Sequence, residues 1–370
     1  MAGGRRHTLR DIAATLNLSV NTVSRALSGK DGIGEKTRAL VRAEAERVGY
    51  VPNSMARSLV TGSAMTFGLV ITNPSNPFYA QLISSIELRA RTYDYSLLLT
   101  VTEESAENET RAAEALLRSS VSGAMVVPVQ ASADPWRRLS TVGVPTVLLN
   151  RDLPDLGYRF VGTDNELGGY RATAHAISRG ARSIVVLEED LPITTIADRI
   201  AGFRRAMAEA GLATPRGSVM RVPTRRIEQA ALPWQPQQAY QVARRMLRRA
   251  RLPDAVVVGN DYFALGLYRA LEEHGLKAPD DMMVIGFGDH PFSAFLSPPL
   301  TTVRLPAAEI GNIAVDLLLE EIAGARGARP LKQLIAPALV ERNSTRRLPG
   351  TPAGSPGQSD HRACSPEVSG

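Results

Sequence analysis

Thr8-Leu9-Arg10-Asp11-Ile12-Ala13-Ala14-Thr15-Leu16-Asn17-Leu18-Ser19-Val20-Asn21-Thr22-Val23-Ser24-Arg25-Ala26-Leu27 reads as two short helices joined by a tight turn. Thr8 offers a hydroxyl and Asp11, three residues on, a carboxylate, the pair that satisfies free backbone N–H groups at a helix start. Leu9, Ile12, Ala13 and Leu16 then recur at i, i+3, i+4 and i+7, which predicts a helix over 9–16 with one apolar face. Asn17 tolerates a left-handed backbone and ends it. Ser19 caps a second helix over 20–27, and so short a joint makes the two helices cross steeply. Val23, Ala26 and Leu27 turn inward, leaving Val20, Asn21, Ser24 and Arg25 outside. Those side chains suit the major groove of DNA: Arg pairs with guanine O6 and N7, Asn with adenine N6 and N7, and Val packs on a thymine methyl. Ser19, Thr22 and Ser28 suit phosphate oxygens, which fix register without reading sequence.

A third helix is expected over 35–48, with Gly34 at its cap and Gly49 as its stop. Four blocks follow one another in order: Thr-Leu-x-Asp-Ile-Ala from Thr8, Ser-x-x-Thr-Val-Ser-Arg from Ser19, Lys-Thr-Arg from Lys36, and Gly-Tyr-x-Pro-Asn-x-x-Ala-Arg-x-Leu from Gly49. Together they resemble the lactose-repressor (LacI/GalR) family. Thr8, Thr37, Tyr50 and Asn53, which lie within these blocks, join the residues expected at DNA. Pro52 blocks continuation of what precedes it, Asn53 caps, and Ser54 to Val60 forms a helix of about two turns, too short to persist alone in water. The resemblance implies that this hinge helix folds in the minor groove when two copies meet over DNA. Leu59 would then be wedged between base pairs, and Ala56 would let the two hinge helices approach closely. A homodimer on double-stranded operator DNA is therefore implied, with residues 1–51 as the DNA-binding domain and 52–63 as hinge and linker.

Charge follows the same division. Residues 1–60 hold ten Lys or Arg against five Asp or Glu, leaving 33 basic against 32 acidic groups in the rest. Phosphate attraction is thus concentrated at the helix-turn-helix, and affinity for DNA should fall steeply with salt. The arginine pairs at 244–245 and 248–249 read as a solvated helix face.

The remaining 310 or so residues alternate short apolar runs with helical patterns, the mark of parallel sheets covered by helices on both faces. Strands are expected over 66–71, 96–101, 124–127 and 146–149, then over 183–187, near Val219, and over 255–258 and 283–285. Helices are expected over 78–91, 108–119, 167–179, 200–210, 239–249 and 264–274. The fold class is α/β: a small all-α helix-turn-helix domain, then a periplasmic-binding-protein-like core of two doubly wound lobes over 64–343. Gly162-Thr163-Asp164-Asn165-Glu166-Leu167-Gly168-Gly169 resembles the family's crossing between lobes, and Pro298-Pro299-Leu300-Thr301-Thr302-Val303 its return. The first lobe is placed at 64–163 plus 303–325 and the second at 164–302 plus 326–343. Residues 344–370, rich in Pro, Gly, Ser and Arg, are expected to be a disordered tail without the leucine heptads of a tetramerising coiled coil.

Ligands of doubly wound folds bind at the carboxyl ends of strands, so a small-molecule effector belongs between the lobes. The family pattern places Phe78 and Tyr79 at an aromatic contact. It also puts Thr195 and Arg199 on Thr-x-x-x-Arg-x-Ala-Gly-Phe, and Trp234 as a platform for a ring. Asn260 and Asp261 would give a polar contact and its support. Alternative readings are lobe packing for the aromatic residues, a surface ion pair of Arg199 with Asp198 or Glu209, and a helix cap for Asp261. Two departures stand out: Asn150 where the family often has aspartate, and Gly286-Phe287-Gly288-Asp289 where it has Gly-Tyr/Phe-Asp. With both carboxylates lost and Arg199 and Arg151 kept, the cleft should be positive. That favours a sugar acid over a neutral sugar, unless Asp289 swings in.

Other classes fare worse. His7, His175, His274, His290 and His361 share no metal-ligand spacing, and no nucleophile elbow or phosphate loop occurs, so neither catalysis, a metal nor a cofactor is expected. A lone cysteine, Cys364, permits no disulfide framework within one chain. No run is long enough to span a membrane, and the N-terminus lacks a signal-peptide core, so a cytoplasmic protein is expected rather than an exported sugar receptor, the main rival reading.

Overall fold

The computed structural model describes residues 7–27, 32–50, 65–223, 236–325 and 331–345. The chain divides into two units, 1–64 and 65–370. In the first, α1 (Leu9–Leu16) and α2 (Val20–Leu27) have the expected bounds, and α3 (Glu35–Arg47) ends one residue early, with Val48 as its cap. The start of α1 is a reciprocal capping box, with Asp11 Oδ2 accepting from the Thr8 N–H at 2.7 Å. Asn17 is left-handed, φ 53°. Ser19 Oγ accepts from the Thr22 N–H at 3.0 Å. Ile12, Ala13, Val23, Ala26, Val41 and Ala45 make the core on which the three helices pack. Ser28, Asn53, Ala56, Leu59 and the expected hinge helix lie outside the described residues.

The second unit holds two six-stranded sheets. In chain order the elements of the first lobe are β1 (Thr66–Ile71), α4 (Pro77–Arg91), β2 (Ser96–Val101), α5 (Ala106–Arg118), β3 (Gly123–Val126), α6 (Asp134–Val142), β4 (Thr146–Leu149) and β5 (Arg159–Thr163). The second lobe follows with α7 (Asn165–Ser178), β6 (Ile184–Glu189), α8 (Thr194–Glu209), β7 (Val219–Val222), α9 (Pro236–Leu247), β8 (Ala255–Val258), α10 (Asp261–Glu273), β9 (Met283–Gly288) and β10 (Thr301–Arg304). The chain then returns with α11 (Ala307–Ile322) and β11 (Lys332–Ile335) and closes with β12 (Ala338–Val340). The sheet orders are β11-β5-β4-β3-β1-β2 and β12-β10-β9-β8-β6-β7; every pairing is parallel except β10 with β12.

Parallel strands buried on both faces need helices on both. In the first lobe Leu82 and Ile86 of α4 share one core with Ile310 and Leu317 of α11, while Leu116 of α5 and Trp136 and Leu139 of α6 share the other. In the second, α9 and α10 cover one face through Met246 and Leu267, and Phe203 and Met207 of α8 contribute to the other. Gly169 and Gly202 bring α7 and α8 into backbone contact: a Cβ at either would collide with the other helix. That contact fixes the backbone from which Arg199 projects.

Several expectations need correcting. β5, α6, β10, α11, β11 and β12 are regular elements that the apolar and helical patterns do not single out. Thr301–Arg304 is a strand of the second sheet paired with β9, so the return crossing comes after it, at Leu305-Pro306, and not within 298–303. β11 belongs to the first sheet beside β5, not to the second lobe assigned to 326–343. The chain therefore crosses three times, and the first and third crossings bond to each other, Asp164 N–H to Ile335 C=O at 2.9 Å. The start of the expected tail is also ordered: Ser344 and Thr345 are buried, Ser344 Oγ bonding Val284 C=O at 2.6 Å and accepting from the Thr301 N–H at 2.8 Å. Residues 346–370 lie outside the described residues.

Candidate functional site

On α2 the inward and outward faces separate cleanly. Val23 and Ala26 are fully buried, Val20 is 41% exposed, and Asn21 and Arg25 are exposed, with Ser24 between. Ser19 Oγ and Thr22 Oγ1 lie 2.8 Å apart at the start of the helix. Thr37 and Tyr50 are half-buried, and Thr8 is exposed, its hydroxyl engaged with Asp11 at 2.9 Å.

The second unit has a cleft between its lobes, at the carboxyl ends of both sets of strands, with an empty volume of ≈ 600 Å³ including open solvent. Phe78 and Tyr79 reach it from the start of α4, which Asn76 caps by accepting from the Phe78 N–H at 3.0 Å. Both rings also belong to the lobe core, stacked edge to face 5.2 Å apart, so packing and lining are one role here. Burial pushes the Tyr79 hydroxyl above its ordinary value, which keeps it neutral. Asn150 lines the cleft in a left-handed conformation, φ 57°, and accepts from the Thr163 N–H at 3.4 Å.

From the other side come Thr195 and Arg199, one turn apart on α8, which begins at Thr194 instead of Ile200. Arg199 donates to Asn165 Oδ1 at 3.0 Å and to Gly259 C=O at 2.8 Å, lies 3.6 Å from Glu188, and sits 4.3 Å over the Phe287 ring. It makes no ion pair with Asp198 or Glu209, the surface alternative. Asn260 lines the cleft and caps α10, accepting from the Tyr262 N–H at 2.9 Å.

Asp261 does not line the cleft. It is fully buried beneath it, accepting from Ser293 Oγ at 2.6 Å, Thr302 Oγ1 at 2.7 Å and the His290 N–H at 2.9 Å. It supports and does not cap, since α10 begins at Asp261 itself. Asp289 is also absent from the lining: its carboxylate accepts from Arg304 and Arg342, each at 2.7 Å, and is not poised to swing in. Burial raises its pKa and the two arginines lower it, with a net result below the ordinary value. Trp234 lies outside the described residues.

Reading the sequence missed three carboxylates that line the cleft, Glu104, Glu188 and Glu189. Glu104 holds Arg151 through two bonds of 2.6 Å, and Arg151 also donates to Pro128 C=O at 3.2 Å. Glu188 faces Arg199, and burial pushes its pKa up against that attraction. The expected surplus of positive charge is therefore not there: each arginine meets a glutamate, and the ground for preferring a sugar acid goes with it. The signal was available, because Glu188 and Glu189 end an apolar strand run and Glu103-Glu104 follow another, where ligands of this fold class bind. His290, pushed below its ordinary pKa by burial, also lines the cleft and lies 3.3 Å from Asn260 Oδ1.

A side chain also links the two lobes. Gln130, after β3 in the first lobe, accepts from the Thr194 N–H at 2.9 Å and donates to Asp152 C=O at 2.8 Å. Thr194 opens α8, so this bond uses one of the free N–H groups of a helix start. Among the described residues no group of His, Cys, Asp and Glu is arranged to hold a metal ion.

Bacterial regulatory proteins of the lacI family match residues 8–53, and a periplasmic binding protein-like domain matches residues 173–345. The ribose operon repressor of Escherichia coli (strain K12) is 32% identical over 340 residues, which is 91% of this chain and 99% of that protein. The crystal structure of the Lac repressor dimer bound to operator and the anti-inducer ONPF superimposes with a TM-score of 0.81 at 25% identity, covering 92% of this chain and 99% of that one. A LacI family transcriptional regulator from Enterococcus faecium with bound ribose superimposes at 0.66 with 26% identity, over 76% of this chain and 99% of its own. The chain belongs to the lacI family of bacterial regulatory proteins.

Proposed function

We propose that the protein is a homodimeric transcriptional regulator, acting chiefly as a repressor, whose hold on operator DNA is set by a small molecule bound between the core lobes. The observation that carries this reading is the exposure pattern of α2: Val20, Asn21 and Arg25 project from a helix whose opposite face is sealed by Val23 and Ala26. A row of one apolar, one amide and one guanidinium group is a base-reading set, and Ser19 and Thr22 at the helix start suit the adjoining phosphates. Thr8, Ser24, Ser28, Thr37, Tyr50 and Asn53 complete the interface in this reading.

In the core, Phe78, Tyr79, Asn150, Thr195, Arg199 and Asn260 are the effector contacts, with Asp261 as support and with Glu104, Glu188 and Glu189 added. Asp289 is withdrawn from that set. Aromatic faces with amides and neutralised arginines suit a neutral polyhydroxylated ligand, a sugar, and the solved Enterococcus faecium regulator holds ribose. Effector binding changes lobe closure and with it the spacing of the two first lobes across the dimer. The hinge helices, with Ala56 at their approach and Leu59 as the wedge, then pair on DNA or release it. The residue spans 1–51, 52–63 and 64 onward serve as reader, hinge and core. By linkage, an effector that weakens operator binding is itself bound more weakly by the operator complex, by the same factor. Binding and release need no catalytic step. Among the described residues no helix is long and apolar enough to cross a membrane, and a regulator of operator DNA works in the cytoplasm.

Selecting bound DNA from a random pool, with and without a panel of sugars, tests the reading. The expected result is one pseudo-palindromic site whose occupancy a sugar changes and which Arg25→Ala weakens. No enriched site under any condition would overturn it.

A further inference from the structure

Outside residues 1–60 the chain's charges nearly cancel, 33 basic against 32 acidic, so a local concentration of one sign needs a cause. One occurs at the end of the second sheet remote from the cleft. There a groove with an empty volume of ≈ 840 Å³ including open solvent is lined by Arg182, just before β6, Arg216, just before β7, and Arg249 and Arg251, between α9 and β8. The four come from three separate connections, and among the described residues no carboxylate lines the groove with them. Asp254, nearby, is engaged by the Arg182 and Ser183 N–H groups at 2.7 and 2.8 Å. Among the described residues none of the four guanidiniums reaches a carboxylate, whereas Arg179, a few residues away, pairs with Glu341 at 2.6 Å. Arg249 is held in place by Gly217 C=O at 3.4 Å and the Met220 sulfur at 3.3 Å. Ser183 and Ser218 add hydroxyls to the lining, and Ala213 and Pro215 an apolar wall.

We propose that this groove binds a small, multiply charged phosphate compound, such as a pyrophosphate or bisphosphate ester, as a second ligand distinct from the effector of the cleft. Guanidiniums present parallel N–H pairs that match phosphate oxygens, and four of them around one groove exceed what a single phosphate group engages. The volume lies in the range of small-molecule pockets. A folded protein segment would need a broader face, so a small anion is the better occupant. The same strands run from this groove to the cleft: β6 leads from Arg182 to Glu188 and Glu189, and β8 from Arg251 to Asn260.

Titration calorimetry of the full chain with inorganic pyrophosphate, at physiological salt, tests this. Inorganic phosphate and an oligoglutamate peptide serve as competing probes, and Arg182→Ser combined with Arg216→Glu as the variant. Both substituted side chains are exposed, and thermal melting verifies that the variant folds. The expected result is one pyrophosphate per chain, bound at least about tenfold more tightly than phosphate and weakened at least about tenfold in the double variant. Arg204→Ser, on the exposed face of α8, should leave it unchanged. Pyrophosphate that binds no better than phosphate, binding that survives the double substitution, or preference for the peptide would each overturn the proposal.

Discussion

The two rims of the cleft are built from the same topology and present their polar groups by different means. On the first lobe, Glu103, Glu104, Gln130 and Asn150 follow β2, β3 and β4 in left-handed conformations, φ 51°, 57°, 67° and 57°. None is glycine, and a left-handed Glu or Gln costs about 1–2 kcal/mol, with Asn150 costing less because asparagine tolerates this conformation. Among the described residues of the second lobe other than glycine, Asp289 alone does this; Thr195 and Arg199 project from α8 and Asn260 from a helix cap, all in ordinary backbone. The first rim thus stores strain that its contacts must hold down, and the second rests on helix geometry. Arg151 has Glu104, through two bonds, and the Pro128 carbonyl, whereas Arg199 shares its load among Asn165, Gly259 and, at longer range, Glu188.

The largest consequence concerns those two arginines. Glu104→Ala strands the Arg151 side chain, 5% exposed, and should cost about 3–5 kcal/mol in urea denaturation. Glu188→Gln, which leaves Arg199 two of its partners, should cost about 1 kcal/mol. Equal losses would break the contrast between an arginine held chiefly by one carboxylate and one held by a shared network.

Strain gives a smaller effect of opposite sign. Glu103 is exposed and left-handed, so Glu103→Gly should stabilise the protein by roughly 0.5–1 kcal/mol, the relieved backbone cost outweighing the extra freedom of the unfolded chain. A loss of stability would mean that the turn is not strained.

Acid should separate the lobes more gently. His175 and His290, both in the second lobe, are held by burial below their ordinary value of 6.5. Below that value the unfolded chain takes up protons that the folded lobe does not, so stability falls as pH drops from 7 to 6. The change is at most about 0.7 kcal/mol per histidine. Hydrogen exchange should therefore quicken in α7 and α10 relative to α4 over that range, and a uniform response would count against this assignment.

What could be read from the sequence follows the reach of each signal. The bounds of α1 and α2 were legible because Thr8, Asp11, Asn17 and Ser19 act on neighbours within four residues. The strands β1, β2, β4 and β8 were legible as apolar runs. β5 was not: it opens with Arg159, whose buried charge is matched by Glu320 and Glu321, each at 2.8 Å, some 160 residues later. β11 and β12 are short, half-exposed edge strands with no strong pattern of their own. In the cleft, Arg199 and Asn260 came from a family pattern tied to local structure. That Glu104 and Glu188 follow or end strand runs was legible, but their pairing with Arg151 and Arg199, which decides the charge of the cleft, is created only by the assembled sheets.

The triple crossing has a consequence for the birth of the chain. The first lobe lacks one helical cover and one edge strand until α11 and β11 emerge, after all of the second lobe except β12 and the residues that follow it has been made. Some 140 residues separate the end of β5 from α11, on the order of 7–30 s of synthesis at about 5–20 residues per second. Throughout that interval the nascent polypeptide presents the apolar face of α4, Leu82 and Ile86, to solvent or to a chaperone. Ribosome-bound intermediates stalled before residue 307 should therefore be the stage at which this protein most needs a holdase, whatever ligand it later meets.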